Sequence, residues 1–311
     1  MQFTSGGSQD LRKIAAELGV AHILVGSVQR AGPQLRVNAQ LIDTVTGAQI
    51  WAEGYDRAVT DVFALESELA EAMVAQLHAK LSPRGKAAIA HKPTSDLEAF
   101  ELYTQARDLL ATSVVTEGEE KRLQAVQLLE QATTRDPAFL RAYCTLVRVH
   151  SELYLLDLDH RPLRLRMAES ALENAVRLQP RARKTHLAAA FLRYCQLDYD
   201  AARRELASAQ RALPNEPLVF ELAGYMDRRQ GRWRESERNL RRALELDPRN
   251  FYFLQQISVS YERLRRFDEM RIVMKRALTI APNDPGARSI TSSSISTLTL
   301  IPSQRAQLSR R

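Results

Sequence analysis

Apolar side chains recur along this chain with two different periods, and the change from one to the other divides it. Leu35, Val37, Ala39 and Leu41 alternate with Arg36, Asn38 and Gln40, the period of two that marks a half-buried strand. Ahead of them, within Ala21 to Arg30, the run His22-Ile23-Leu24-Val25-Gly26-Ser27-Val28 is apolar enough to predict a buried strand, and Gly32-Pro33 turns the chain between the two. Asp43-Thr44-Val45-Thr46-Gly47 is turn chemistry, so Ala48 to Asp56 returns as a third strand. Leu11, Ile14, Ala15 and Leu18 predict a short amphipathic helix ended by Gly19. From Asp61 onward Leu65, Leu69, Met73, Leu77 and Leu81 form a stripe with an interval of four. Helix, three antiparallel strands and helix make a small α+β unit over residues 11–82, after a disordered start at 1–10 and before a linker at 83–95.

Beyond residue 96 the period becomes 3.6. Phe220, Ala223, Gly224 and Asp227 hold the i, i+3, i+4, i+7 places of one helix. Leu254, Ile257, Ser258 and Tyr261 hold them in another, and Tyr143, Leu146, Val147 and His150 in an earlier one. A longer interval lies over this one. Pro180, Pro214, Pro248 and Pro282 stand 34 residues apart, and Pro137 precedes them by 43. Five residues before each proline is an alanine: Ala132, Ala175, Ala209, Ala243 and Ala277. Eight before is a large apolar residue: Leu129, Leu172, Leu206, Leu240 and Met274. Small residues let helices approach closely, a large one fills the gap between pairs, and proline marks the end of a helix that it cannot continue.

A 34-residue helix-turn-helix unit with this register resembles the tetratricopeptide repeat. On that likeness Gly224 is the glycine of close helix contact, and the turn within a unit reads Leu197-Asp198-Tyr199, Gly231-Arg232-Trp233 and Arg265-Arg266-Phe267. Asp227 departs from the pattern by replacing an aromatic residue, and the first two units carry extra residues near Thr112–Glu120 and Leu153–Arg161. The expected fold is mostly α, a tetratricopeptide α-solenoid of about five helix pairs, with the incomplete three-stranded α+β domain before it. The units are placed at 96–137, 138–180, 181–214, 215–248 and 249–282, followed by a disordered Ser/Thr-rich tail at 283–311.

In the tetratricopeptide family the first helix of each pair lines a concave groove. Carried over through the proline register, the resemblance implies a groove of Arg141, Cys144, Arg148 and Ser151 from the second unit. Lys184, Leu187, Phe191 and Tyr194 come from the third, and Leu218, Glu221, Tyr225 and Arg228 from the fourth. Tyr252, Gln255, Val259 and Glu262 complete it. Aromatics mixed with both signs of charge suit an extended peptide or a helix of a protein partner. The groove lacks the lysine and asparagine pairs with which chaperone-binding relatives grip a C-terminal carboxylate.

The N-terminal string Glu17-Leu18-Gly19-Val20, Val25-Gly26-Ser27-Val28, Gln40-Leu41-Ile42-Asp43, Thr46-Gly47, Ile50-Trp51-Ala52-Glu53 and Tyr55-Asp56-Arg57 is similar to the second half of the TolB-amino-terminal-like (FlgO-like) domain. That family implies a bacterial signalling protein in which such a domain precedes tetratricopeptide repeats. It often follows a class III adenylate cyclase catalytic domain, a DNA-binding domain or a kinase. The family's further upstream elements have no counterpart before Leu11, which makes this chain a fragment of a longer gene or a degenerate copy.

Composition adds restraint. Among 311 residues, 44 Lys and Arg face 37 Asp and Glu, a net charge of +7 carried by the C-terminal part. A basic stack can attract an acidic partner or a nucleic-acid backbone, yet its charges are nearly all arginines on solvated helix faces, many one helical turn from a carboxylate, so nucleic acid is the disfavoured partner. Two cysteines, Cys144 and Cys195, cannot make a disulfide framework and read as buried thiols. No apolar run reaches the ~20 residues of a membrane span, and a cytoplasmic location is expected. The six histidines are scattered, with no metal-ligand spacing and no cofactor motif; Gly26-Ser27 has no base near it, and His150 falls on packing positions. The sequence therefore predicts a protein-binding scaffold without catalytic, metal or cofactor residues. The alternative is the C-terminal regulatory part of an adenylate cyclase.

Overall fold

The computed structural model describes residues 14–15, 19–77, 85, 89, 92–111 and 118–282. The chain divides into two compact units, Met1–Leu97 and Glu98–Arg311. The expected disordered start, most of the Leu11–Leu18 helix, Leu81 and the tail lie outside the described residues.

In the first unit, β1 (His22–Ala31), β2 (Gln34–Asp43) and β3 (Gln49–Ala58) form an antiparallel sheet in the order β1-β2-β3. Asp43 closes the second hairpin: its Oδ1 accepts from the backbone N–H of Val45 (2.9 Å) and Thr46 (2.7 Å), and Gly47 takes the positive φ of 74° that the turn demands. After a 3₁₀ turn, α1 (Val62–Gln76) lays Leu65 and Leu69 on Val37, Tyr55, Leu35 and Trp51 of β2 and β3. Here one expectation is corrected. β1 is not a buried strand: Leu24 is 47% and Val28 66% exposed. Register puts both on the core face, opposite Leu41 and Val37, but β1 is the sheet's edge, and the apolar cluster under Leu65 and Leu69 gathers on β2 and β3.

The second unit is a solenoid of helical hairpins. Its described helices are α2 (Leu97–Ala111) and α3 (Gly118–Arg135), α4 (Leu140–Leu155) and α5 (Pro162–Leu178), and α6 (Arg183–Cys195) and α7 (Tyr199–Ala212). The last four are α8 (Pro217–Arg229) and α9 (Trp233–Leu246), and α10 (Phe251–Arg263) and α11 (Phe267–Ile280). The second helix of every hairpin stops two residues before its proline. Gln179, Leu213, Asp247 and Ala281 precede proline with φ between −150° and −129°, since the following ring drives the preceding residue out of the helical region. The N–H of each bonds back to the carbonyl of the register alanine, Ala175, Ala209, Ala243 or Ala277.

Those alanines, with Ala132, are all 0% exposed. Their large neighbours Leu129, Leu172, Leu206, Leu240 and Met274 are buried as well. A Cβ added to Gly224 would lie 2.8 Å from Leu240 Cγ, so α8 and α9 touch where the register places glycine against leucine. Asp227, the departure from the pattern, ties two hairpins together: it accepts from Arg203 (3.3 Å), Arg232 (2.5 Å) and Asn239 (2.8 Å). The extra residues of the second unit are fewer than expected, because Leu153–Leu155 continue α4. In the first unit, Gly118–Glu120 open α3, and 112–117 lie outside the described residues.

Candidate functional site

The first helices of the hairpins carry a chain of charged and phenolic side chains that links hairpins beyond their immediate neighbours. Arg148 and Glu152 stand one turn apart on α4, with Arg148 Nε donating to Glu152 Oε1 at 2.5 Å. The other oxygen of Glu152 accepts from Arg122 of α3 at 3.2 Å. Arg148 Nη2 then points toward Glu221 Oε2 of α8 at 3.9 Å. Helices α5, α6 and α7 separate α4 from α8 in the chain, so Arg148 and Glu221 approach each other across a whole intervening hairpin. Tyr225 donates to Glu221 Oε1 at 2.9 Å, and Tyr252 of α10 lies near enough to feel the Glu221 charge.

Aromatic rings floor this chain. The Arg148 guanidinium lies 6.0 Å from the Phe191 centroid, and Arg228 lies 5.2 Å from that of Tyr225. Tyr194 packs 6.1 Å from Tyr225 and 6.5 Å from Phe191, and its hydroxyl accepts from Arg229. Burial is deep: Phe191 and Tyr194 are 4% exposed, Tyr225 3% and Glu221 1%.

Charge follows from that burial. For Glu152, burial favours the neutral acid, but Arg148 and Arg122 outweigh it and hold the carboxyl below its ordinary value. Glu221 is left differently. Burial pushes it up, Arg148 opposes only in part, and Glu152 adds repulsion, so it titrates at about 7. Burial disfavours the Arg148 charge too, yet Glu152 and Glu221 raise its pKa above the usual guanidinium value. The Tyr225 and Tyr252 hydroxyls are raised by burial and by the Glu221 charge. Glu221 Oε2 and the Ser151 hydroxyl are buried with no hydrogen-bond partner among the described residues.

Of the groove residues expected from sequence, the structure gathers Arg148, Phe191, Tyr194, Glu221, Tyr225, Arg228 and Tyr252 in this cluster. Leu187 is buried in the core, and Cys144 and Ser151 are buried too. Lys184 is engaged in an ion pair with Glu216. Tyr252, Gln255 and Val259 are half-buried, Leu218 likewise, while Arg141 and Glu262 are exposed. Sequence reading missed Glu152 and Arg122. The spacing of four from Arg148 to Glu152 was a signal for the first; nothing local marks Arg122, 30 residues from its partner.

Elsewhere, His150 is 2% exposed and burial lowers it to about 4, as befits a packed histidine. Cys144 and Cys195 are free, and burial pushes both thiols up to about 12. Among the described residues no group of three or more His, Cys, Asp or Glu is arranged to hold a metal ion. No helix among them is long and apolar enough to cross a membrane.

Comparison with known proteins agrees with this architecture. The family model described as tetratricopeptide repeat matches residues 252–284. Over 141 residues the chain is 33% identical to a protein of Rhizobium meliloti (strain 1021) named "Putative adenylate cyclase 3"; the match covers 45% of this chain and only 23% of that protein. Among solved structures, a monomeric mutant of IFIT1 with Gppp-AAAA aligns over 72% of this chain and 50% of its own, with a TM-score of 0.50 and 16% identity. A thermophilic TPR protein of Thermus thermophilus aligns over 65% of this chain and all of its own, at 0.49 and 20%.

Proposed function

We propose that this chain is a protein-binding scaffold whose solenoid receives a peptide or helix of its partner along the wall formed by the first helices. The observation that carries this reading is the cluster itself. A solenoid needs only apolar contacts to stack, whereas charged and phenolic groups joined across α3, α4 and α8 are costly to bury unless paired. Half-buried Tyr252, Gln255 and Val259 continue this wall with surface that a partner can cover. Catalysis is not part of the proposal, and the three-stranded domain, similar to the TolB-amino-terminal-like type, serves signalling rather than chemistry.

Photo-crosslinking tests the reading. A crosslinking residue at Gln255 should capture a partner that one at Lys275, exposed on α11, does not. Equal capture from both positions places the contact off the groove and ends the reading.

A second reading, that the chain is the C-terminal regulatory part of a class III adenylate cyclase in a bacterial cytoplasm, draws on the 141-residue similarity reported above. The genomic frame upstream of Met1 decides it: an in-frame cyclase domain supports it, and an in-frame stop directly before Met1 removes it.

A further inference from the structure

Arg148 stands at the middle of the buried chain but uses only one nitrogen in a hydrogen bond. Nε is clamped by Glu152, which Arg122 anchors from behind, and the guanidinium lies over the Phe191 ring. Its terminal nitrogens donate to no acceptor among the described residues; Nη2 stops 3.9 Å from Glu221 Oε2, beyond hydrogen-bonding reach. The side chain is 31% exposed. Across that gap Glu221 Oε2 likewise makes no hydrogen bond among the described residues. A guanidinium already fixed in orientation, with its fork open, is suited to a planar anion, because little ordering remains to be done on binding. Of the other groove cations, Lys184 pairs with Glu216 and Arg228 with Gln256 and the Tyr225 ring, while Arg141 is exposed.

Resting on the groove reading above, we infer that Arg148 receives an acidic side chain of the protein partner. Charge balance favours a carboxylate over a phosphate. Arg122, Arg148, Arg228, Glu152 and Glu221 sum to +1 when Glu221 is ionised and to +2 when it is protonated, so one monoanion leaves no excess negative charge in either state. A phosphate dianion would, with Glu221 ionised, leave excess negative charge beside two carboxylates in a half-buried place.

The same geometry links binding to pH. The groups facing Glu221 are Arg148 and Glu152 from α4, Tyr225 and Arg228 from its own helix, and Tyr252 from α10. Arg148, Tyr225 and Tyr252 are raised and Glu152 is lowered, so of the groups with a shifted value only Glu221, at about 7, changes charge near neutrality. A second carboxylate on Arg148 makes its ionisation harder still, and it takes up a proton as the partner binds.

Selection of random ten-residue peptides on the full chain at pH 6.5 tests the inference. Asp or Glu should become fixed at one position, and that preference should vanish on R148Q/E152Q, which removes one charge of each sign. R148K, which keeps the charge but loses the fork, should weaken the selected peptides about tenfold. Selected peptides without an acidic position, or an acidic preference that survives in R148Q/E152Q, overturn the inference while leaving the groove reading intact. Selection of no peptide at all overturns both. For a selected peptide, binding should be about tenfold tighter at pH 6 than at pH 8, and equal at both in E221Q. Wild-type binding that ignores pH, or that tightens when phosphoserine replaces the glutamate, also refutes the proposal.

Discussion

Glu221 is a carboxylate at 1% exposure whose nearest cation falls short of a hydrogen bond, and its proton is therefore a stability variable. Burial raises its pKa from 4.5 to about 7, so the folded state holds this proton more tightly than the unfolded chain does. The contribution is fully present below about pH 4.5 and is lost as pH rises toward 7. E221Q, neutral at every pH, should raise the melting temperature at pH 8 and flatten this part of the profile; a variant that melts lower at pH 8 would show that the charge is needed. Backbone strain is the second residue-scale quantity. Leu197, Gly231 and Arg265 occupy equivalent turn positions and all take positive φ, 65°, 75° and 57°. Only the glycine does so freely. L197G and R265G should each stabilise the chain by up to about 1 kcal/mol in urea unfolding, and G231A should destabilise it by a similar amount.

At the scale of elements, the contact between the two helices of a hairpin depends on pairing small with large. Gly224 faces Leu240 with no room for a methyl group. G224A gains about 1 kcal/mol of helix propensity, but overpacking against Leu240 costs about 1–3 kcal/mol, so a net loss is expected. Adding L240A to G224A should be less damaging than the two single effects combined, because the clash disappears with the leucine; strict additivity in thermal melts would mean that α8 and α9 do not meet as described. The sheet shows the opposite situation. β1 has alternating apolar residues on the core face, yet Leu24 and Val28 stay exposed, while Val37 and Leu41 beside them are buried. Pattern assigned the face; it could not say how far the apolar cover extends across the strands.

Across the helical unit, stability passes from hairpin to hairpin, with Asp227, Arg203 and Arg232 adding polar ties to the apolar seams. M274A, in the last described hairpin, should therefore speed hydrogen exchange in α10 and α11 while α4 and α5 keep their protection; uniform acceleration would indicate a single cooperative block. The arginine excess is largely spent within helices, in pairs such as Arg238–Glu235, Arg242–Glu245 and Arg266–Glu269, as the spacing of charges implied. What the sequence determined by itself is what local spacing encodes: helices and strands, the 34-residue interval, the alanine and leucine seams, the prolines that stop helices, and the turn at Asp43. Each depends on residues within one unit or one hairpin, so short-range geometry suffices. Tertiary structure alone decided which ionisable groups share a buried space. Arg122, Arg148, Glu152 and Glu221 come from three helices spread over about a hundred residues of chain, and neither the contacts between helices nor the shifted Glu221 carboxyl exists until those helices converge and exclude water.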